Sequence, residues 1–271
     1  MTLVGSTTTD QLDVSGLTGA DGNPVNAWDV TVSNVGGNAL LTFPNGTSIL
    51  LNGVAPASVT TAPQLHSIGI PCFVAGTMID TPSGPRAVET IRTGDEVLTA
   101  EGQPITVIWA GGKTFDAADL ARCERLKPVV FRPNSTGNVK ELRLSRQHRV
   151  VIDTTEGPRL VAAGGLAAAR GSGARIAKGC RKVSYRHLLL TRHAIIRAEG
   201  ALVESLWPGP LAAKSLGPET CREIAGSCPQ LAPALAGKVP TELVFGPQAL
   251  PMIRRGQLRS LSVNSCAALL T

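Results

Sequence analysis

Short apolar runs broken by turn residues, rather than long stripes at helical spacing, mark most of this chain. Ala39-Leu40-Leu41-Thr42-Phe43 and Ser48-Ile49-Leu50-Leu51 flank Pro44-Asn45-Gly46-Thr47, a pattern that predicts a β-hairpin. Trp28 to Val32 is a third strand candidate. Residues 55–70, APASVTTAPQLHSIGI, are small, polar and proline-bearing and read as a linker, with His66 a solvated residue within it. From Cys72 onward apolar runs and turns alternate. Val74 to Ile79, Val97 to Thr99, Ile105 to Trp109, Val129 to Phe131, Leu142 to Leu144 and Val150 to Ile152 each predict a strand. After Ser205 the pattern changes. Pro218 to Ala225 starts with proline and acid and carries an apolar face, which predicts a short helix, and Gly246 to Arg259 is a second helix candidate.

One stretch occurs twice. Ile79-Asp80-Thr81-Pro82-Ser83-Gly84-Pro85-Arg86-Ala87-Val88 recurs as Ile152-Asp153-Thr154-Thr155-Glu156-Gly157-Pro158-Arg159-Leu160-Val161, with seven of ten positions identical at a constant offset of 73. The repeat predicts two copies of one strand–turn–strand unit.

Composition supports a β-rich reading. Glycine (29) and proline (19) are plentiful and aromatics make up only 3%, which suits strands joined by turns. Charge divides the chain. Residues 1–66 hold Asp10, Asp13, Asp21 and Asp29 and neither lysine nor arginine; all 26 basic residues follow, a step that predicts a domain boundary. The net charge of +6 comes from scattered arginines without basic runs or interleaved aromatics, so nucleic acid is not the expected partner. No apolar run reaches the ~20 residues of a membrane span, and MTLVGSTTTDQLDV lacks the features of a signal peptide. The six cysteines form no CxxC pair and match neither zinc-ligand spacing nor a dense disulfide framework.

The candidate chemistry lies in three blocks. Cys72 opens the first, CFVAGTMIDTPSGPRAVETIRTGDEVLT, after seventy-one residues of different character. The second is Leu144-Ser145-Arg146-Gln147-His148-Arg149-Val150. The third, Tyr185 to Ser205, holds an apolar strand with His187, then His193, an apolar pair, a glycine turn at Gly200 and a last apolar strand. In this order the blocks resemble the Hint family, the fold shared by inteins and the self-processing half of Hedgehog proteins. The variant most resembles bacterial Hint-domain proteins that carry an unrelated N-terminal segment.

The resemblance implies an all-β Hint fold with pseudo-twofold duplication at 72–205. Before it stand a small β-rich segment, 1–54, and a linker, 55–71; after it comes a partly helical extension, 206–271, packed on the Hint domain. It also implies chemistry at Pro71–Cys72. Cys72 attacks the Pro71 carbonyl in an N-to-S acyl shift, and water or another nucleophile opens the thioester. His148 protonates the departing amide nitrogen, Ser145 hydrogen-bonds the same amide or the developing oxyanion, and His193 takes the place of a histidine that assists processing. His187 receives no role. The substrate is the chain's own N-terminal segment, processed once, with no cofactor and no metal; His187 and His193 lack the third and fourth ligands that zinc needs. Two departures accompany the resemblance: Pro71, whose ring hinders attack on its carbonyl, and serine in place of threonine at 145. The terminal asparagine of inteins is missing, with Glu204 and Ser205 at the closing positions, so cleavage without splicing is expected. Bacterial Hint domains often accompany secreted or surface proteins. Two other readings stay open: a catalytically silent Hint module that presents the N-terminal segment, and a cysteine hydrolase acting in trans.

Overall fold

A computed structural model describes residues 30–43, 45–56 and 71–253. The chain divides into two compact units, 1–65 and 66–271. In the first, β1 (Thr31–Val35), β2 (Asn38–Thr42) and β3 (Ser48–Leu51) form an antiparallel meander. Leu41 and Phe43 form its buried cluster, backed by Val30, Val32, Ile49 and Leu51, and Ala39 is buried as well. The 39–43 and 48–51 strands of the sequence form the hairpin between β2 and β3. The strand expected from Trp28 instead begins at Thr31; Trp28, Asp29, Pro44 and the linker with His66 lie outside the described residues.

The second unit contains two antiparallel sheets. Its strands are β4 (Phe73–Val74), β5 (Met78–Ile79), β6 (Arg86–Ala87), β7 (Glu96–Leu98), β8 (Pro104–Phe115), β9 (Val129–Phe131), β10 (Leu142–Leu144), β11 (Arg149–Thr154), β12 (Gly157–Ala162), β13 (Ala174–Ile176), β14 (Val183–Leu190), β15 (Ile195–Ala198) and β16 (Ala201–Glu204). One sheet has the order β13-β9-β10-β4-β14-β8-β7 and the other β12-β11-β16-β15-β5-β6. A single core joins them: Phe73, Val129, Phe131, Leu142, Leu144, Leu188 and Leu190 of the first pack with Ile79, Val150, Ile152, Val161, Ile196 and Val203 of the second.

The expected strand from Val74 to Ile79 is two strands in different sheets. Gly76 takes φ +89, and Thr77 turns back to the Val74 carbonyl through its N–H (3.1 Å) and its hydroxyl (2.6 Å). The left-handed backbone at Gly76, inexpensive only for glycine, is what breaks the run. The 105–109 strand is longer than its apolar core. β8 continues through the weak strand formers Gly111 and Gly112 because β14 pairs with it to Val183–Phe115.

The internal repeat is a pair of hairpins at opposite ends of the six-stranded sheet. β5 pairs with β6 through Ile79↔Arg86, and β11 with β12 through Ile152↔Arg159. The turns share their bonding. Thr81 Oγ1 donates to the Gly84 carbonyl at 2.6 Å, and Thr154 Oγ1 to that of Gly157 at 2.7 Å; Gly84 and Gly157 have φ of +99 and +97.

Helical segments follow β16. Pro210–Ser227 is broken at Gly217 (φ +82), just ahead of Pro218, whose ring cannot continue the helical ladder; the helix expected at 218–225 is its second half. Ala232–Leu235 and Thr241–Phe245 complete the group. Leu206, Ala212, Ile224, Leu231 and Phe245 pack with Trp109, Leu120, Leu126, Tyr185 and Leu189, covering the other face of the seven-stranded sheet. No helix forms over 246–253. Gly246 takes φ +83, and Met252 bridges Leu160 in parallel; 254–259 lies outside the described residues. No helix among the described residues is long and apolar enough to cross a membrane.

Candidate active site at the Pro71–Cys72 bond

Strand pairing places Cys72. β4 lies between β10 and β14, with Phe73 opposite both Leu144 and Arg186. One step back along β4, Cys72 meets Ser145 on one side and His187 on the other. The Cys72 N–H donates to Ser145 Oγ at 3.0 Å, and the Ser145 N–H returns a bond to the Cys72 carbonyl at 2.9 Å. The Cys72 amide nitrogen is thus held from the opposing strand.

Alternation along β14 directs His187. Val183, Tyr185, His187 and Leu189 share the face that carries the cluster of Cys72 and Trp109, while Leu188 and Leu190 point into the main core. His187 Nδ1 lies 2.9 Å from the Pro71 carbonyl oxygen and Nε2 lies 3.7 Å from Cys72 Sγ. A carbonyl can only accept, so Nδ1 carries the ring hydrogen and Nε2 offers its lone pair to the thiol. One neutral imidazole therefore spans the Pro71 carbonyl and the Cys72 thiol. The Trp109 ring stacks beside it at 6.2 Å, in the space where a side chain at Gly111 would stand.

The SxxH block forms a tight turn: the His148 N–H donates to the Ser145 carbonyl at 3.2 Å. The turn brings the His148 ring over Phe73, edge to face at 4.4 Å. His148 is fully buried, and neither ring nitrogen finds a well-formed hydrogen bond among the described residues. The Cys72 and Glu204 backbones are nonetheless close enough to favour its charged form.

His193 is placed elsewhere. Its Nδ1 accepts the Ala249 N–H at 2.8 Å, and its Nε2 stands 3.6 Å from Glu204 Oε2. Glu204, wholly buried, accepts the Arg149 N–H at 3.0 Å and pairs with the Arg149 guanidinium at 2.9 Å. Of the four residues read from sequence, the structure brings Cys72, Ser145 and His148 to one place and sets His193 on the Glu204 cluster. The residue missed was His187. It stands between Tyr185 and Leu189 on an apolar strand face, and its contact with Cys72 follows from the pairing of β14 with β4.

Burial sets the charges. It pushes the Cys72 thiol up to about 12, against the lowering effect of the Ser145 hydroxyl. It pushes His148 and His187 down to about 4. Burial alone would raise Glu204, but the His193 ring beside it and the Arg149 guanidinium hold it below the usual carboxylate range. At neutral pH the site therefore contains a thiol, two uncharged imidazoles and a carboxylate. Such a thiol reacts only with a base within reach, and His187 Nε2 lies 3.7 Å from it.

Comparison with known proteins agrees on family. The sequence pattern of the Hint domain family matches residues 71–210, just over half of the chain. Among solved structures, the chain is similar to a bacterial intein-like domain from Clostridium thermocellum at 16% identity, over 49% of this chain and 96% of that one, with a TM-score of 0.35. It is similar to the MchDnaB-1 intein at 18% identity, over 49% and 98%, with a TM-score of 0.34. No curated protein matches it. The matched segment contains the strands that hold Pro71, Cys72, Ser145, His148 and His187 together, and the chain belongs to the Hint domain family.

Proposed function

We propose that this chain cleaves itself once at Pro71–Cys72, by an N-to-S acyl shift followed by opening of the thioester, and does not splice. The observation that carries the reading is the position of His187, 2.9 Å from the Pro71 carbonyl oxygen and 3.7 Å from Cys72 Sγ.

In the first step Sγ attacks the Pro71 carbonyl carbon while its proton passes to His187 Nε2. The transfer from a thiol near 12 to an imidazole near 4 is steeply uphill alone, so it accompanies C–S bond formation. The Nδ1–H of the same ring stabilises the negative charge that develops on the carbonyl oxygen. As the C–N bond breaks, the Cys72 nitrogen gains a proton from His148, which Glu204 biases toward the donating, charged form. Ser145 fixes the nitrogen through its 3.0 Å bond. One proton passes from sulfur to His187, which returns it to solvent, and one reaches nitrogen from a His148 that has first taken a proton from solvent, so no net charge is created.

A second reading, a silent Hint module, draws on the same burial: a thiol at about 12 is a poor nucleophile without its base. The intact mass of the purified chain, with and without thiol, separates the two. Fragments of 71 and 200 residues support cleavage, and an unbroken chain supports the silent module.

A further inference from the structure

The two contacts of His187, 2.9 Å to the Pro71 carbonyl and 3.7 Å to Cys72 Sγ, coexist in one setting of its side chain. In a sheet, the residue directly opposite normally braces such a ring. Opposite His187 stands Gly111, which has no side chain to offer. The place is filled from two residues back along β8. Trp109 pairs with Leu189 on the same sheet face and lays its indole beside the imidazole, with 6.2 Å between ring centres and 22° between planes, an offset stack. Both rings are buried. The indole is also what keeps position 111 bare. Gly111 has none of the left-handed backbone that calls for glycine at the turns, yet a Cβ there would run into the Trp109 ring. Indole and glycine are thus one device.

We propose that Trp109 and Gly111 are the positioning residues of His187: the indole, admitted by the bare glycine, holds the imidazole in the setting that reaches both the Pro71 carbonyl and the Cys72 thiol, and keeps water off the ring. The proposal rests on His187 acting in the acyl shift. Without the indole the ring has room beside it to turn, and each of its nitrogens can trade its partner for water. A misplacement of about 1 Å costs on the order of 10²-fold in rate. Trp109 moves no proton itself and acts through His187.

The test uses the full chain, with circular dichroism to select folded variants. An uncleaved Cys72→Ala chain reports the ring directly. Nitrogen-15 NMR should show His187 as the Nδ1–H tautomer there, and still so when Trp109→Phe is added, since phenylalanine keeps a ring over Gly111. Adding Trp109→Ala should give a mixture of tautomers. In the parent background Trp109→Ala should slow thioester formation on the order of 10²-fold, and Trp109→Phe should restore most of the rate. In Trp109→Ala the fall in rate on protonation of His187 should also move to higher pH, because water at the ring relieves the burial that holds it near 4. Trp109→Leu, which fills much of the space without a ring face, replaces Trp109→Ala if the latter does not fold. Gly111→Ala should slow the parent chain strongly and the Trp109→Ala chain little, as no indole is left to displace. A folded Trp109→Ala chain with the parent rate and a single tautomer overturns the proposal while leaving the acyl shift intact, as does an equal effect of Gly111→Ala in both backgrounds. Parent-like cleavage by His187→Ala instead removes the underlying reading.

Discussion

Cys72 and Ser145 stand 73 residues apart, the offset of the internal repeat, and bond to each other reciprocally across β4 and β10. Cys72 and Ser145 thus occupy matching positions just ahead of the two repeated hairpins. Ile79 and Ile152 follow each by the same seven residues. The site lies where the two halves of the duplication meet, which is why its parts are so distant in sequence.

The Ser145 hydroxyl is the acceptor for a buried N–H, so Ser145→Ala leaves that donor without a partner. An unsatisfied buried group costs about 1–3 kcal/mol. We expect a lower Tm together with slower thioester formation, and recovery of both in Ser145→Thr, which keeps the hydroxyl. Equal cleavage rates in Ser145→Ala and the parent chain would remove the serine from the site.

Cys72→Ala should abolish the split, while Cys123→Ala, Cys180→Ala and Cys228→Ala should retain it. Pro71→Gly should speed it, since the pyrrolidine ring crowds the attacked carbonyl. Intact mass against time measures all five. Continued cleavage after residue 71 in Cys72→Ala would end the acyl-shift mechanism.

The two histidines should divide by pH. In the proposed mechanism His148 donates only when charged and His187 accepts only when neutral, and burial holds both near 4. The rate of thioester formation should therefore climb as pH falls from neutral and drop once His187 is protonated, a bell whose limbs belong to the pair. His187→Ala should lower the rate ~10²–10⁴-fold throughout, and His148→Ala should flatten the climb. An unaltered climb in His148→Ala would exclude it as the donor.

The same shifts govern stability. Histidines near 4 in the fold and 6.5 in the unfolded chain mean that unfolded molecules bind protons which the native site refuses. Stability is full above 6.5 and lost as pH falls toward 4, by on the order of a few kcal/mol for the pair. Urea midpoints at neutral pH and near pH 5 measure this, and His148→Phe, which keeps the contact with Phe73 without the charge, should lessen the loss.

Much of the fold was legible because some strands are uniform in burial. Val129–Phe131 is apolar at every position and is a strand with those bounds; so is Leu142–Leu144, whose one exposed residue is the central Arg143. The repeat was legible because its turn needs Thr, Gly and a fixed spacing. His187 was not. Its contact with Cys72 spans 115 residues and depends on the register of β14 against β4, which no local pattern encodes. The Ala249 contact with His193 was hidden for the same reason: the segment carrying it reads as a helix in sequence, yet 246–253 forms none.

Splicing would require a second break, after Ser205, and the groups there oppose it. In an intein the terminal asparagine cyclises through its side-chain amide nitrogen. Ser205 has no such nitrogen, and its Oγ accepts the Ala194 N–H at 3.1 Å. The preceding position needs a proton donor. Glu204 is held as a carboxylate by the Arg149 guanidinium and by its backbone bond, and an ionised carboxylate only accepts. His193 could reach the Glu204 carboxylate through Nε2, but its Nδ1 is committed to Ala249. The chain beyond is also fastened: the Leu206 N–H bonds the Leu188 carbonyl at 2.9 Å, and Trp207 Nε1 bonds that of Gly246 at 3.2 Å. The bond after Ser205 should therefore survive prolonged incubation, with 206–271 recovered attached to 72–205. Ser205→Asn alone should not release it, because Glu204 still supplies no proton; Glu204→His with Ser205→Asn supplies both groups and should yield a fragment starting at Leu206. A ligated product of 1–71 and 206–271 from the parent chain would overturn this.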